Sequence, residues 1–159
     1  MEFLVKNKNL STSIEKSEIR LANLSDAVEI CALSAQLGYQ VTPEQSQDWL
    51  EAILKEDWQT VFVAMSPNGK LIGWEQVSAI RHLMEMPFAE IIGIVVAETH
   101  RGEGIGEALL EHAETWAQEK GLSFIWVRSN VIRMDAHHFY LRYGFELLKT
   151  QQVFIKRIS

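Results

Sequence analysis

The stretch Ile91-Ile92-Gly93-Ile94-Val95-Val96-Ala97-Glu98-Thr99-His100-Arg101-Gly102-Glu103-Gly104-Ile105-Gly106 passes from an apolar run into a glycine-rich loop. The run predicts a strand over 88–97 that is covered on both faces and central to its sheet, with Gly93 marking a bulge or a close backbone approach. Beyond the loop, Ile105, Ala108, Leu109, Ala113, Trp116 and Ala117 keep three-to-four spacing up to Gly121, which predicts a helix over 104–120. Strand, glycine loop and helix in succession form an anion-binding arrangement. Alternate glycines let successive amides turn towards one point, the helix N-terminus adds about half a positive charge, and Arg101 adds a full one, so a pyrophosphate fits there.

Upstream, Glu18 to Ala22 alternates polar and apolar as a half-buried strand does. Ser25-Asp26 then supply N-cap chemistry for a helix over 26–37, whose inward stripe is Ala27, Ile30, Cys31, Ser34 and Leu37. Gly38 stops it, and Thr42-Pro43-Glu44 opens a second helix that runs to Lys55. Residues 60–65 and 71–77 make a hairpin around Ser66-Pro67-Asn68-Gly69. Downstream come a strand at Phe124 to Val127, a helix from Met134 to Tyr143 stopped by Gly144, and strands at Phe145 to Lys149 and Gln152 to Ile158. The order βααβββαβαββ specifies an α/β (α+β) fold, a mixed sheet with helices on its faces, in one domain over 17–159 preceded by a polar arm over 1–16.

Composition narrows the function. With 47% hydrophobic and 23% charged residues the chain matches ordinary globular domains, and a net charge of -6 argues against nucleic acid or an anionic membrane surface as partner. Cys31 is the only cysteine, so neither an internal disulfide nor a thiolate-rich zinc site is available, which fits the cytoplasm. The opening residues lack a signal-peptide h-region and no apolar run approaches the ~18 residues of a membrane span. His82, His100, His112, His137 and His138 have no metal-ligand spacing, so no metal is expected.

Two nucleotide loops are excluded by the letters themselves. Glu107 or Leu109 stands where a dinucleotide fingerprint needs its third glycine, and the Gly-Lys-Ser/Thr ending of a Walker loop is missing. What remains is R-x-x-G-x-G, Arg101 to Gly106, and it resembles the pyrophosphate loop of the GNAT N-acetyltransferase superfamily. Asn130 past the following strand, and Ala136-His137-His138-Phe139-Tyr140-Leu141-Arg142-Tyr143-Gly144-Phe145, similar to that family's A-x-x-F-Y-x-x-x-G-F segment, extend the likeness, which runs from about Glu18 to Ile158.

The resemblance implies a mostly antiparallel sheet with helices on both faces, and transfer of an acetyl group from acetyl-CoA to a primary amine by direct attack in a ternary complex. It assigns the cosubstrate to Arg101, Gly102, Glu103, Gly104, Ile105 and Gly106, to the backbone of Ile94, Val95 and Val96, and to Asn130 and Tyr140. Fixed backbone donors would stabilise the charge that develops on the thioester oxygen. The amine must lose a proton, for which Glu90 and Glu75 are the candidate bases, and the departing thiolate must gain one, for which Tyr140 is the candidate acid. Tyr39, in the loop between the first two helices, with Trp74 and Trp126, would line the acceptor pocket. That loop and the Phe139-Tyr140 segment look like those of small-molecule members, including aminoglycoside and aminoalkylphosphonate acetyltransferases. Acetylation of protein amines and a non-catalytic acetyl-CoA sensor are the alternatives. A homodimer is expected from family habit and from the apolar strand Val153-Phe154-Ile155, which would otherwise be an unprotected edge.

Overall fold

A computed structural model describes residues 17–159, so the arm expected over 1–16 lies outside the described residues. The chain divides into two units, Met1–Val127 and Arg128–Ser159. The first holds one five-stranded sheet whose spatial order follows the chain: β1 (Glu18–Leu21), β2 (Gln59–Met65), β3 (Leu71–His82), β4 (Glu85–Val96) and β5 (Ile125–Val127). The first three pairings are antiparallel. The last, β4 with β5, is parallel. A parallel pair needs a crossover, and α3 (Ile105–Glu119) supplies it.

Two further helices, α1 (Ala27–Ser34) and α2 (Pro43–Leu54), lie between β1 and β2 in sequence. Their starts are set by local chemistry. Asp26, almost fully buried, receives both Arg20 guanidinium nitrogens at 2.8 and 2.9 Å and the Asn23 N–H at 2.8 Å, which ties β1 to the start of α1. Thr42 and Gln45 form a reciprocal capping box with Pro43 inside it, so α2 begins where the sequence predicts. Helical structure before it is less regular than the spacing implies: Leu24–Asp26 and Ala35–Leu37 are 3₁₀ turns flanking α1, and Gly38 closes the segment at φ 84°. Cys31 is half-buried, its thiol donating to the Val41 carbonyl at 3.0 Å.

Register assigns the two faces of the sheet, because directly paired residues share a face and alternate along each strand. Phe62, Gly73, Glu75 and Ile94 fall on one face. α3 covers it: the His112 ring stands 5.6 Å from that of Phe62, and a β-carbon on Gly73 would meet Ile105 at 3.3 Å. Val61, Val63, Trp74, Gln76, Ser78, Gly93 and Val95 fall on the other. Gln76 pairs with Gly93 whereas Val77 pairs with Ile91, so Ile92 is the extra residue of a bulge. The bulge reverses the alternation of β4 and sets Glu90 on the same face as Gly93. The β3–β4 hairpin is longer than expected, reaching His82 and resuming at Glu85, with Leu83 and Met84 exposed at its tip.

In the second unit, α4 (Met134–Tyr143) has the predicted bounds and ends at Gly144, φ 113°, where the amides of Gly144 and Phe145 donate to the Tyr140 carbonyl at 3.2 and 3.0 Å. No α4 residue is fully buried; Ala136, Phe139, Tyr140 and Tyr143 are half-buried. The two expected strands at 145–149 and 152–158 are not formed: residues 145–159 lie in no ladder, and Val153, Phe154 and Ile155 are 92%, 86% and 95% exposed. Strand propensity describes a fit to a pleated neighbour, and these residues have no such neighbour among the described ones.

Candidate active site

The glycine loop follows β4 after a short 3₁₀ turn at Glu98–His100. Gly102 and Gly104 have φ of 78° and 81°, a left-handed conformation that glycine adopts without cost. A β-carbon on Gly102 would meet nothing within 4 Å, so the loop opens outward rather than against the sheet. Ile105, 2% exposed, anchors the loop through its side chain. The first-turn amides of α3 at Ile105, Gly106 and Glu107 have no partner within the helix, and no side chain caps them. α2 gives its Gln45 amide to the Thr42 hydroxyl, whereas α3 keeps its first-turn amides available to an anion. Arg101, Gly102, Glu103 and Gly104 are all exposed around that end.

β4 extends to Val96, but its parallel partner pairs only with Ala89, Glu90 and Ile91. Past the bulge the β5 side of β4, including Ile94, Val95 and Val96, therefore carries no hydrogen-bonded strand among the described residues. That open edge leads directly into the glycine loop, so an extended ligand with amide groups and a terminal pyrophosphate matches both in sequence.

The two candidate bases separate. Glu75 is fully buried on the α3 face, neither carboxyl oxygen has a hydrogen-bond partner, and burial pushes its pKa up from 4.5 to about 8. A carboxyl held in that state is protonated at neutral pH. Glu90 is buried on the opposite face, across from Ser78 on one side and Trp126 on the other. Trp126 is half-buried and stacks on Phe88 with centroids 4.1 Å apart, which settles its orientation. Trp74 lies on the same face, its ring over Gly93: a β-carbon there would stand 3.0 Å from Trp74 Cη2. The glycine in the apolar run thus marks both a close approach, by an indole, and an adjoining bulge. Tyr39 is 60% exposed on the loop between Gly38 and α2.

Asn130 and Tyr140 belong to the second unit. The Asn130 side-chain oxygen accepts from the Ile132 N–H at 3.1 Å, and its carbonyl bonds the His137 ring at 2.9 Å. The Tyr140 ring packs 5.4 Å from Phe139 and 5.6 Å from Phe145. Among the described residues no group of three His, Cys, Asp or Glu side chains converges as metal ligands, and no helix is long and apolar enough to cross a membrane. Sequence reasoning missed Gln59, Gln76 and Ser78, which share the face of Trp74 and Glu90, with Gln76 Nε2 donating to Gln59 Oε1 at 3.0 Å. Simple alternation puts Glu90 and Gly93 on opposite faces, and only the position of the bulge brings this polar group together.

A glycine loop on an uncapped helix N-terminus, after a strand with an open edge, suits an extended ligand that ends in a phosphate group. Residues 27–145 match the profile of the acetyltransferase (GNAT) family, and the chain belongs to that family. Streptothricin acetyltransferase of Streptomyces lavendulae is 36% identical over 84 residues, 53% of this chain and 43% of that protein. Aminoalkylphosphonate N-acetyltransferase of Salmonella typhimurium is 36% identical over 80 residues, 50% of this chain and 52% of that protein. The matches thus span about half the length of these curated relatives. The aminoglycoside N-acetyltransferase AAC(6')-Iy, solved in complex with a bisubstrate analogue, superposes with a TM-score of 0.80 at 22% identity over 90% of this chain and 99% of its own, which shows the shared fold.

Proposed function

We propose that this chain transfers the acetyl group of acetyl-CoA to a primary amine of a small molecule, by direct attack of the amine. The observation that carries the reading is the uncapped α3 N-terminus with its left-handed Gly102 and Gly104, continuous with the open edge of β4. The loop amides and Arg101 hold a pyrophosphate, the backbone of Ile94 to Val96 holds the amide-bearing arm, and a fixed amide there stabilises charge growing on a carbonyl oxygen. Acetyl-CoA supplies the activated acyl group.

Glu90 takes the role of base, directly or through water, since it stands on the face that carries Trp74 and Trp126. Glu75 does not, being sealed beneath α3 and already protonated at neutral pH. Asn130 and the phenol of Tyr140 are assigned to cosubstrate binding and to protonation of the departing thiolate on the family resemblance alone. Tyr39, Trp74 and Trp126 are assigned to the acceptor. The exposed Val153, Phe154 and Ile155 support a homodimer that covers them, and a monomeric mass at micromolar concentration would remove that part of the reading. The single cysteine supports a reducing, cytoplasmic setting.

A panel of primary amines assayed for thiol release from acetyl-CoA tests the central claim. Amine-dependent release, with a low-pH limb that flattens in Glu90→Gln and not in Glu75→Gln, is expected. Acetyl-CoA binding without release on any amine would overturn it.

A further inference from the structure

The Glu98 N–H, in the turn that leads from β4 into the glycine loop, donates to the side-chain oxygen of Gln36 at 3.2 Å, across 62 residues of sequence. The Glu98 carbonyl accepts from the Arg101 N–H at 3.4 Å, so Glu98 is held by Gln36 on one side and by the loop's cation-bearing residue on the other. Gln36 belongs to the 3₁₀ turn Ala35–Leu37, immediately before Gly38 and Tyr39. Glu29, seven residues earlier and on the same side of that helical stretch, accepts from the Leu71 N–H at 2.9 Å where β3 begins. The start of β3 and the end of β4 are themselves joined, the Ala97 N–H donating to the Ile72 carbonyl at 2.8 Å. Glu29 therefore docks α1 on the sheet, and Gln36 ties its far end to the glycine loop. The other end of the Tyr39 stretch is tied back by the Cys31 thiol on the Val41 carbonyl. We propose that Gln36 is a positioning residue that couples the two loops: a cosubstrate on Arg101 to Gly106 fixes Glu98 and, through Gln36, the Tyr39 loop that meets the amine.

The proposal rests on the acetyltransferase reading and deepens it by naming how one half of the site responds to the other. Gln36 and Glu98 are both exposed, so their bond adds little to the stability of the fold. Its loss leaves α1 docked through Glu29, and what it supplies is the position of the turn that launches Gly38, at φ 84°, and Tyr39. Coupling of this kind is reciprocal: an amine that orders the Tyr39 loop tightens the cosubstrate through the same bond.

The test reads the Tyr39 loop while CoA fills the other half of the site. The chain is labelled with 3-fluorotyrosine, and of its three tyrosines Tyr39 is assigned by the ¹⁹F signal missing from Tyr39→Phe. CoA is titrated into the parent, into Gln36→Met, which keeps the length but has no accepting oxygen, and into Gln36→Glu, which restores one. CoA is expected to displace the Tyr39 signal in the parent and in Gln36→Glu and to leave it in place in Gln36→Met. Gln36→Met should still bind CoA within about threefold of the parent, as loss of one exposed hydrogen bond predicts. An undiminished displacement in Gln36→Met means that CoA reaches Tyr39 by another route and overturns the coupling. A signal unmoved in the parent despite CoA binding, or lost in Gln36→Glu as well as in Gln36→Met, overturns it too. CoA that binds none of the three proteins sinks the acetyltransferase reading, and the coupling with it.

Discussion

Glu75 on β3 sits directly across from Phe62 on β2, and the Phe62 ring in turn contacts His112 of α3. The carboxyl is therefore enclosed between sheet and helix, with neither oxygen hydrogen-bonded. Burial raises its pKa from 4.5 to about 8, so between these pH values the folded chain binds a proton that the unfolded chain has released. Stability from this group is complete below pH 4.5 and is lost as pH rises to about 8. Glu75→Gln deletes the titration while keeping the shape. Its stability relative to the parent should rise by about 1.4 kcal/mol per pH unit across that window. Denaturant melts from pH 4 to 9 read this directly, and parallel profiles for the two proteins would show that Glu75 is not held neutral.

Gly93 and Trp74 form a second matched pair. An added methyl on Gly93 would stand 3.0 Å from Cη2 and 3.3 Å from Cζ3 of a rigid ring packed against strand backbone. Gly93→Ala should cost about 1–3 kcal/mol by overpacking. With Trp74→Leu the ring is gone, and the same change should cost little. Equal costs in both backgrounds, measured by a double-mutant cycle, would place the reason for the glycine elsewhere.

How much of this was legible beforehand differs by element. The loop and α3 could be read because glycines spaced by one residue and a helical apolar stripe are local signals, and Gly102 and Gly104 take the left-handed φ values such a loop requires. α2 could be read from the Thr42-Pro43 start for the same reason. Face assignment could not: Trp74, Glu75 and Gln76 alternate without saying which side α3 covers, and Gly93 signals a bulge without saying that the extra residue is Ile92, the placement that recruits Glu90. Strand propensity in Val153-Phe154-Ile155 was legible, but a ladder needs a partner, and the partner is not written in the segment.

Gly104 tests the anion site. Its φ of 81° is one that Asn and Asp tolerate best among residues with a side chain, and a β-carbon would meet only the Glu107 carboxylate, at 3.5 Å. Gly104→Asp should thus fold yet place negative charge where phosphate binds. At one hundred times its dissociation constant a ligand adds about 2.7 kcal/mol of stability, and this thermal shift with acetyl-CoA should vanish in Gly104→Asp while Gly104→Asn keeps part of it. Retention of the full shift by the Asp variant would move the pyrophosphate away from the loop.

Tyr140 carries the last prediction. Its ring is half-buried against Phe139 and Phe145 at the end of α4, and phenylalanine preserves both contacts while deleting the phenolic hydroxyl and its proton. If that proton goes to the departing thiolate, Tyr140→Phe should keep the fold and the acetyl-CoA thermal shift and lower kcat by roughly ten- to a thousand-fold, the range for a lost general acid. A second signature separates this role from packing. Proton donation matters less as the leaving group becomes more acidic, so the deficit should shrink when the donor is the acetyl thioester of an aryl thiol instead of CoA. A packing defect would lower the rate with both donors alike. Equal deficits, or an unaltered kcat in a stably folded Tyr140→Phe, would leave thiolate protonation to water and reduce Tyr140 to its contacts with the two phenylalanines.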